Sequence, residues 1–271
     1  MYKLSTTLAR QSAYIGTAVG VVTLFAGVAP IVGAMLLADR YALSSPADVF
    51  RFVMGFSPIN LLLPLIVSLP YATVVSGEIS HRYLLYTRTR EPIGTGIRHR
   101  FGTAALVGFV VGFVVPLLVF VWAFAIEPSL GIVALRPELS GLTTAAQIQA
   151  ADLQAFTFSQ LLAYGDVAFG LGYSLFTGAT GALYSVITVS CLFMMTNRFL
   201  ATATPWIVHV AVLFVMAVLN LAPVSPNAFF PFNLSQTSMS LPMIPLAVLA
   251  ALAAVLVTVV HRRATSWESW Q

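Results

Sequence analysis

Residues 101–126, FGTAALVGFVVGFVVPLLVFVWAFAI, contain no charged side chain. A helix needs about 20 predominantly apolar residues to cross the hydrocarbon core of a membrane, so this stretch is long enough to span it. Five further stretches have the same character. The six predicted spans are Tyr14–Ala38, Phe56–Ser76, Phe101–Ile126, Val167–Met195, Phe199–Leu221 and Leu241–Val260.

The composition of the whole chain agrees with this prediction. Hydrophobic residues make up 59% of the 271 residues and charged residues only 8%, whereas a soluble globular domain carries about 25% charged residues. This excludes a soluble fold. We therefore predict an all-α polytopic membrane protein with six transmembrane helices, in which residues 1–271 form a single transmembrane domain.

The basic residues predict the orientation of the spans. Residues 78–100, EISHRYLLYTRTREPIGTGIRHR, contain five of the thirteen basic residues. With both termini in the cytoplasm, only Arg40, Arg51 and Arg136 lie outside, and the other ten basic residues lie inside. This is the positive-inside bias of membrane proteins. It explains the basic pI of about 9.5 without a nucleic-acid partner.

Two segments on the predicted outer side contain helix signals. Ser45-Pro46-Ala47-Asp48 combines a capping serine, a proline in the first turn and an early acid. We expect this helix to continue into the second span. The connection 127–166 is too polar to span, and its second half has no glycine or proline before Gly165. It suits a helix lying against the outer surface.

Residues that carry common membrane chemistry are sparse. The only lysine is Lys3, which has no glycine-rich loop around it, so the chain is not itself a P-loop ATPase. Every Asp and Glu falls at a span end or in a loop, which counts against ion-coupled transport. Cys191 is the only cysteine, which excludes a disulfide or a cysteine metal cluster within one chain. We predict no catalytic residue and no metal site.

His209 is the one histidine within a predicted span. An ionisable side chain at membrane depth is a functional candidate by default. The simpler interpretation is a neutral residue that forms hydrogen bonds between helices. Both interpretations stay open from the sequence.

Small and hydroxylated residues recur in the fourth span at steps of three and four. They are Gly170, Ser174, Thr177, Gly181, Ser185 and Thr188. This spacing places all six on one face of a helix. The face either packs closely against another helix, because small residues let backbones approach, or it forms the polar lining of a substrate path. Packing is the favoured alternative. The pairs Gly16/Gly20 and Gly108/Gly112 match the same small-residue pattern.

Residues 69–101, LPYATVVSGEISHRYLLYTRTREPIGTGIRHRF, resemble one known family. They are similar to the type-2 ABC transporter permeases, which are six-span export subunits that work with a separate ATP-hydrolysing subunit. Besides LPYA, the matching residues are Glu78, Tyr83, Tyr86, Thr89 and Arg90. The sequence departs from the family pattern at Arg82, where glycine is expected, and at Arg98 and Arg100, where lysine is common.

The resemblance implies a role for the segment after the second span. In that family the segment forms a short amphipathic coupling helix that contacts the ATPase. The residues in the coupling positions here are Glu78, Ile79, Arg82, Tyr83, Tyr86, Arg88 and Arg90. Glu78 is also expected to pair with a nearby arginine. The alternative is a basic loop held on anionic lipid headgroups, where each charge contributes about 1 kcal/mol.

The resemblance therefore implies the permease subunit of an ATP-driven exporter in a bacterial or archaeal cytoplasmic membrane. Its expected partners are an ABC ATP-binding subunit, a second copy or related permease, and membrane lipid. ATP and magnesium belong to the ATP-binding subunit, and no cofactor is expected in this chain. The rival hypotheses are a polytopic membrane enzyme that uses His209, and a scaffold that recruits a cytoplasmic protein without transport.

Overall fold

The computed structural model describes residues 2–37, 40–80, 93–228, 236 and 238–268, with side chains described for 15–37, 40–80, 94–228, 236 and 238–264. The coupling segment predicted for 81–92 lies outside the described residues. The described part of the chain folds into helices and contains no strand. The main helices are α1 (Tyr2–Leu37), α2 (Pro46–Phe56), α3 (Ile59–Ser80), α4 (Ile93–Val121), α5 (Ala145–Gln154), α6 (Asp166–Met194), α7 (Arg198–Val218) and α8 (Met243–Glu268).

Six of these helices are long and apolar enough to cross a membrane, which confirms the predicted number of spans. They are Ile15–Leu37, Ile59–Ser80, Gly94–Leu130, Asp166–Met194, Arg198–Val218 and Met243–Ala264. The third span begins before the predicted Phe101, because the helix includes the basic turn around Arg98 and Arg100. After α4 the helical path continues through a π-helical turn at Trp122–Ile126 and a short α-helical turn at Glu127–Leu130.

Helix α6 lies at the centre of the bundle. In the most apolar stretch of α6, 67% of the residues are buried, whereas only 17% are buried in the corresponding stretches of α1, α7 and α8. Its neighbours are α4 and α3 on the more buried side and α7 and α8 toward the periphery. The helices that carry most of the buried contacts are therefore α3, α4 and α6.

The bundle has two distinguishable ends, each with its own hydrophobic cluster. The loop end contains Leu43, Phe50, Ile59, Trp122 and Phe169. The terminal end contains the last turns of α3, α6 and α8 with the first turns of α4 and α7, and its cluster includes Tyr71, Ile97, Phe101, Leu192 and Val260. The positive-inside rule predicts that the terminal end faces the cytoplasm.

The expectation that the helix begun at Ser45 runs into the second span is wrong. Ser45 caps α2 as predicted, since its hydroxyl accepts a hydrogen bond from the Asp48 amide at 3.1 Å. The helix ends at Phe56, however, and Ser57 is extended, with φ −75° and ψ 147°. A residue before proline is disfavoured in the helical region, so Pro58 separates α2 from α3.

The helix expected in the second half of segment 127–166 is shorter than its composition indicated. Thr144 and Gln147 form a capping box that starts α5, but this helix ends at Gln154. Phe158 adopts a left-handed conformation with φ 73°, and it and Phe156 are buried in the loop-end cluster. The burial of these aromatic side chains breaks the helix and holds the segment against the bundle.

Asp152 connects α5 to the start of α2. The Ser45 hydroxyl donates a hydrogen bond to its carboxylate at 2.6 Å. Burial raises the pKa of the Asp152 carboxyl above its ordinary value, and the hydrogen bond from Ser45 offsets this in part. Because the pKa is higher in the folded state, this group stabilises the loop end most in acid, and its contribution is lost as the pH rises through the folded-state pKa.

Candidate functional site

The stripe predicted on the fourth span is a buried face of α6. Gly170, Ser174, Thr177, Gly181, Ser185 and Thr188 are all buried. Opposite them lies α4, and the closest approach is at Gly108 and Gly181. A Cβ atom added to Gly108 would lie 2.5 Å from the Gly181 carbonyl oxygen, and the reciprocal distance is also 2.5 Å. The two backbones touch, so a side chain cannot fit between them at this level.

The same contact extends along both helices. A Cβ atom on Gly112 would lie 2.7 Å from the Thr177 carbonyl oxygen, and one on Gly170 would lie 2.6 Å from the Phe120 ring. The pair Gly108/Gly112 is therefore a true helix-contact motif. Gly16 and Gly20, which match the same pattern, have nothing within 4 Å of an added Cβ atom. Sequence alone does not distinguish these two pairs.

Two of the four hydroxyl groups of the stripe bond to their own helix. Thr177 donates to the Tyr173 carbonyl and Thr188 to the Tyr184 carbonyl, each at 2.9 Å. The hydroxyls of Ser174 and Ser185 are buried and have no hydrogen-bond partner among the described residues. A face packed against backbone in this way favours the packing interpretation over a polar path through this surface.

His209 lies near the middle of α7 and is buried against α6. Its Nδ1 atom is 2.6 Å from the Tyr184 hydroxyl, and the Asn60 backbone and Asn227 side chain lie beside the imidazole. Within the described part of the chain, no three His, Cys, Asp or Glu side chains are grouped as metal ligands. The geometry supports a polar contact between helices, which was the simpler interpretation of His209. Tyr184 gave no signal in the sequence.

We expect Tyr184→Phe to destabilise the packing of α7 on α6. The substitution removes the hydroxyl and leaves the buried imidazole without that partner. Hydrogen bonds between membrane helices contribute about 0.6 kcal/mol on average and about 1.7 at most, so the expected loss lies between these values. Thermal unfolding of the purified protein measures it.

Tyr164→Phe is the matched control, because that side chain is 80% exposed. It should leave the unfolding temperature unchanged. Equal temperatures for both variants would show that the Tyr184–His209 contact does not stabilise the bundle.

Glu78 forms the ion pair that the sequence predicted. Its Oε2 atom is 2.7 Å from Nε of Arg100, and both side chains are only 14% exposed. Arg100 also donates to the Gly96 carbonyl at 2.9 Å, and Tyr71 lies near the pair. The ion pair joins the last turn of α3 to the first turns of α4. It therefore connects the two helices on either side of segment 81–92.

A second polar contact at this end involves α7. Arg198 donates through a guanidinium nitrogen to the Ser76 carbonyl at 3.1 Å. Ile79 is half-buried and packs on the terminal-end cluster. The other predicted coupling residues, Arg82, Tyr83, Tyr86, Arg88 and Arg90, lie outside the described residues. Of the predicted coupling set, the structure places Glu78 and Ile79 at the junction of α3, α4 and α7.

Comparison with known proteins does not assign this arrangement to a family. No protein-family model, no curated protein and no solved structure matches the chain. The similarity of residues 69–101 to type-2 ABC permeases stays a prediction from the sequence.

Proposed function

We propose that this chain is the membrane-spanning permease subunit of an ATP-driven ABC exporter. In this proposal the chain works as a homodimer or with a related permease in a cytoplasmic membrane. The energy comes from a separate ATP-binding subunit, which holds ATP and magnesium and contacts segment 81–92. The observation that carries the proposal is the similarity of residues 69–101 to the coupling region of these permeases.

The Glu78–Arg100 pair supports this proposal. Segment 81–92 connects Ser80, where α3 ends, to Ile93, where α4 begins, and the ion pair between Glu78 and Arg100 joins these two helices. A force applied to the segment would therefore act on α3 and α4 together. Because α4 touches the backbone of α6 at Gly108 and Gly181, a displacement of α4 would be passed to the centre of the bundle.

The proposal requires a soluble partner that binds segment 81–92. Tyr83 and Tyr86 are the residues of the segment that suit such a contact, because tyrosine is enriched among residues that dominate interface energies. Replacing both with alanine should lower co-purification of a co-expressed ATP-binding subunit roughly tenfold, which corresponds to about 1.4 kcal/mol. The measurement is the amount of ATP-binding subunit recovered with the tagged chain from detergent-solubilised membranes.

Tyr164→Ala is the control, since this exposed tyrosine lies in the segment predicted outside the cell. It should leave recovery unchanged and show that the chain still inserts. Full recovery and full stimulation of ATPase activity with the Tyr83→Ala/Tyr86→Ala variant would make the segment a lipid-binding loop. Failure of the unaltered chain to bind any co-expressed ATP-binding subunit would contradict the permease proposal and favour a scaffold.

A further inference from the structure

A cavity of about 560 Å³ lies between α1, α2 and α3. Its walls come from one face of α1, the end of α2 and the first half of α3. Residues from these three walls include Phe25, Ala29, Gly33, Phe52, Leu62 and Ile66. The cavity is separate from the α4–α6 contact and from the terminal-end ion pair.

The residues that line the cavity favour an apolar ligand. Among the described residues that line the cavity, Ser57 is the one with a polar side chain, and its hydroxyl donates to the Met54 carbonyl at 3.2 Å. All the other lining residues are apolar or glycine. A polar ligand would lose its hydrogen bonds to water here and find none in return. A hydrocarbon group forms no hydrogen bonds with water and would therefore lose none on binding.

The dimensions of the cavity favour a narrow ligand. Its wall on α1 runs from Val21 to Leu37, which is about 24 Å at the rise of an α-helix. Spread over that length, the volume corresponds to a path roughly 5 Å wide for the centres of atoms and a channel roughly 8 Å wide between its walls, whereas a helix with its side chains is about 10–12 Å across. A transmembrane helix of a second copy is therefore too wide, and a single hydrocarbon chain fits.

The cavity is open to its surroundings along one side. Phe25 and Phe56 line it and are 70% and 60% exposed, so lipid in the surrounding bilayer has direct access. At the loop end of the cavity, Tyr41 packs on Phe52 and Phe56, with ring centroids 4.6 and 5.1 Å apart. Aromatic side chains of this kind are enriched where a membrane meets water.

Two arginines are adjacent in sequence to these aromatic residues. Arg40 precedes Tyr41 and is exposed. Arg51 precedes Phe52, and its side chain is 42% exposed while it pairs with Asp48 at 2.7 Å. An apolar channel with arginines next in sequence to the aromatic residues at its loop end complements a molecule that has a hydrocarbon chain and a phosphate.

We propose that this cavity binds one acyl chain of a phospholipid from the surrounding membrane. In this proposal the acyl chain lies along α1 between Leu37 and Val21, and the phosphate lies at the loop end near Arg40 and Arg51. This site is independent of the proposed transport function, because it uses none of the residues of the coupling region.

The test uses a phosphatidylglycerol probe with a photoreactive diazirine midway along one acyl chain. The full-length protein is reconstituted with this probe, extracted into detergent, washed free of loosely bound lipid and then irradiated. Labelling of lining residues such as Phe25 and Ile66 is expected, and labelling of Leu24, which is 60% exposed and outside the cavity, is not. No label on the lining residues would overturn the proposal.

Two glycines of α1 form a matched pair of variants. Gly33 lines the cavity and Gly20 does not, and an added Cβ atom at either position meets nothing within 4 Å. Neither variant has a clash at the Cβ atom, and thermal unfolding checks that both leucine variants fold. Gly33→Leu should lose the label on the lining residues, and Gly20→Leu should keep it. Unchanged labelling in a folded Gly33→Leu variant would overturn the proposal.

The proposed contact between the arginines and the lipid phosphate is tested separately. Arg40→Gln combined with Arg51→Gln should lower retention of the probe, whereas Arg98→Gln, at an exposed arginine of the terminal end, should not. Equal retention of a diacylglycerol probe, which lacks the phosphate, would overturn the role of the arginines. Crosslinks between copies of the chain at Phe25 and Ile66, without labelled lipid, would assign the cavity to a second copy and overturn the lipid site.

Discussion

Gly108→Ala is expected to destabilise the protein severely. Overpacking usually costs about 1–3 kcal/mol, and the loss here should reach or exceed the upper limit of that range. The added Cβ atom would lie 2.5 Å from the Gly181 carbonyl oxygen and 2.6 Å from the Ser185 Cβ atom. The first of these is backbone, which cannot rotate away as the end of a side chain can. Helices α4 and α6 must separate, and the contact at the centre of the bundle is lost. Thermal unfolding of the purified protein measures this loss.

Gly102→Ala provides the control on the same helix. Gly102 is exposed, and nothing lies within 4 Å of an added Cβ atom. Alanine favours a helix over glycine by about 0.8–1.0 kcal/mol, so this variant should be as stable as the unaltered protein or slightly more stable. Gly181→Leu should be at least as harmful as Gly108→Ala, whereas Leu183→Phe, away from the α4 contact, should be tolerated. Equal stability of Gly108→Ala and Gly102→Ala would contradict the observed packing.

The second large effect is expected for Arg100→Gln. This change removes the guanidinium that pairs with Glu78 and leaves a carboxylate that is only 14% exposed. Breaking a buried ion pair by removing one partner costs about 3–5 kcal/mol, and the remaining exposure places this pair near the lower limit. Unfolding by heat or denaturant in detergent measures the loss. Arg100→Lys should restore part of it, since lysine keeps the charge but not the planar donor group.

Arg51→Gln is the matched arginine control. Arg51 also pairs with a carboxylate at 2.7 Å, but its side chain is 42% exposed and Asp48 is three residues away on the same helix. Such surface pairs contribute about 0–1 kcal/mol. If Arg100→Gln and Arg51→Gln lower stability equally, the Glu78–Arg100 pair is a surface contact and does not hold α3 and α4 together.

The sequence predicted the membrane class and the six spans because both depend on local composition. An apolar stretch of about 20 residues must form a helix in a bilayer, where backbone groups find no other partners. The boundaries were less accurate. The third span was predicted to start at Phe101, but its helix already includes Gly94. A charged turn marks the edge of the hydrocarbon core, and a helix can extend beyond that edge.

The candidate site was partly predictable for the same reason. The pairing of Glu78 with an arginine follows from an acid next to a basic segment, and the structure places Arg100 in that role. The residue that bonds to His209 was not predictable. Tyr184 lies 25 residues away on another span, and no local pattern connects two residues that meet only through helix packing.

The sequence by itself determined that six stretches of this chain are long and apolar enough to cross a membrane, and that one face of the fourth span consists of small residues and hydroxyl residues. Only the tertiary structure decided which helix meets that face. Gly108 and Gly112 contact it, although Gly16 and Gly20 have the same spacing. The cavity between α1, α2 and α3 also appears only in three dimensions. Helical periodicity defines which residues share a face, but the partner of that face depends on how all the helices fit together.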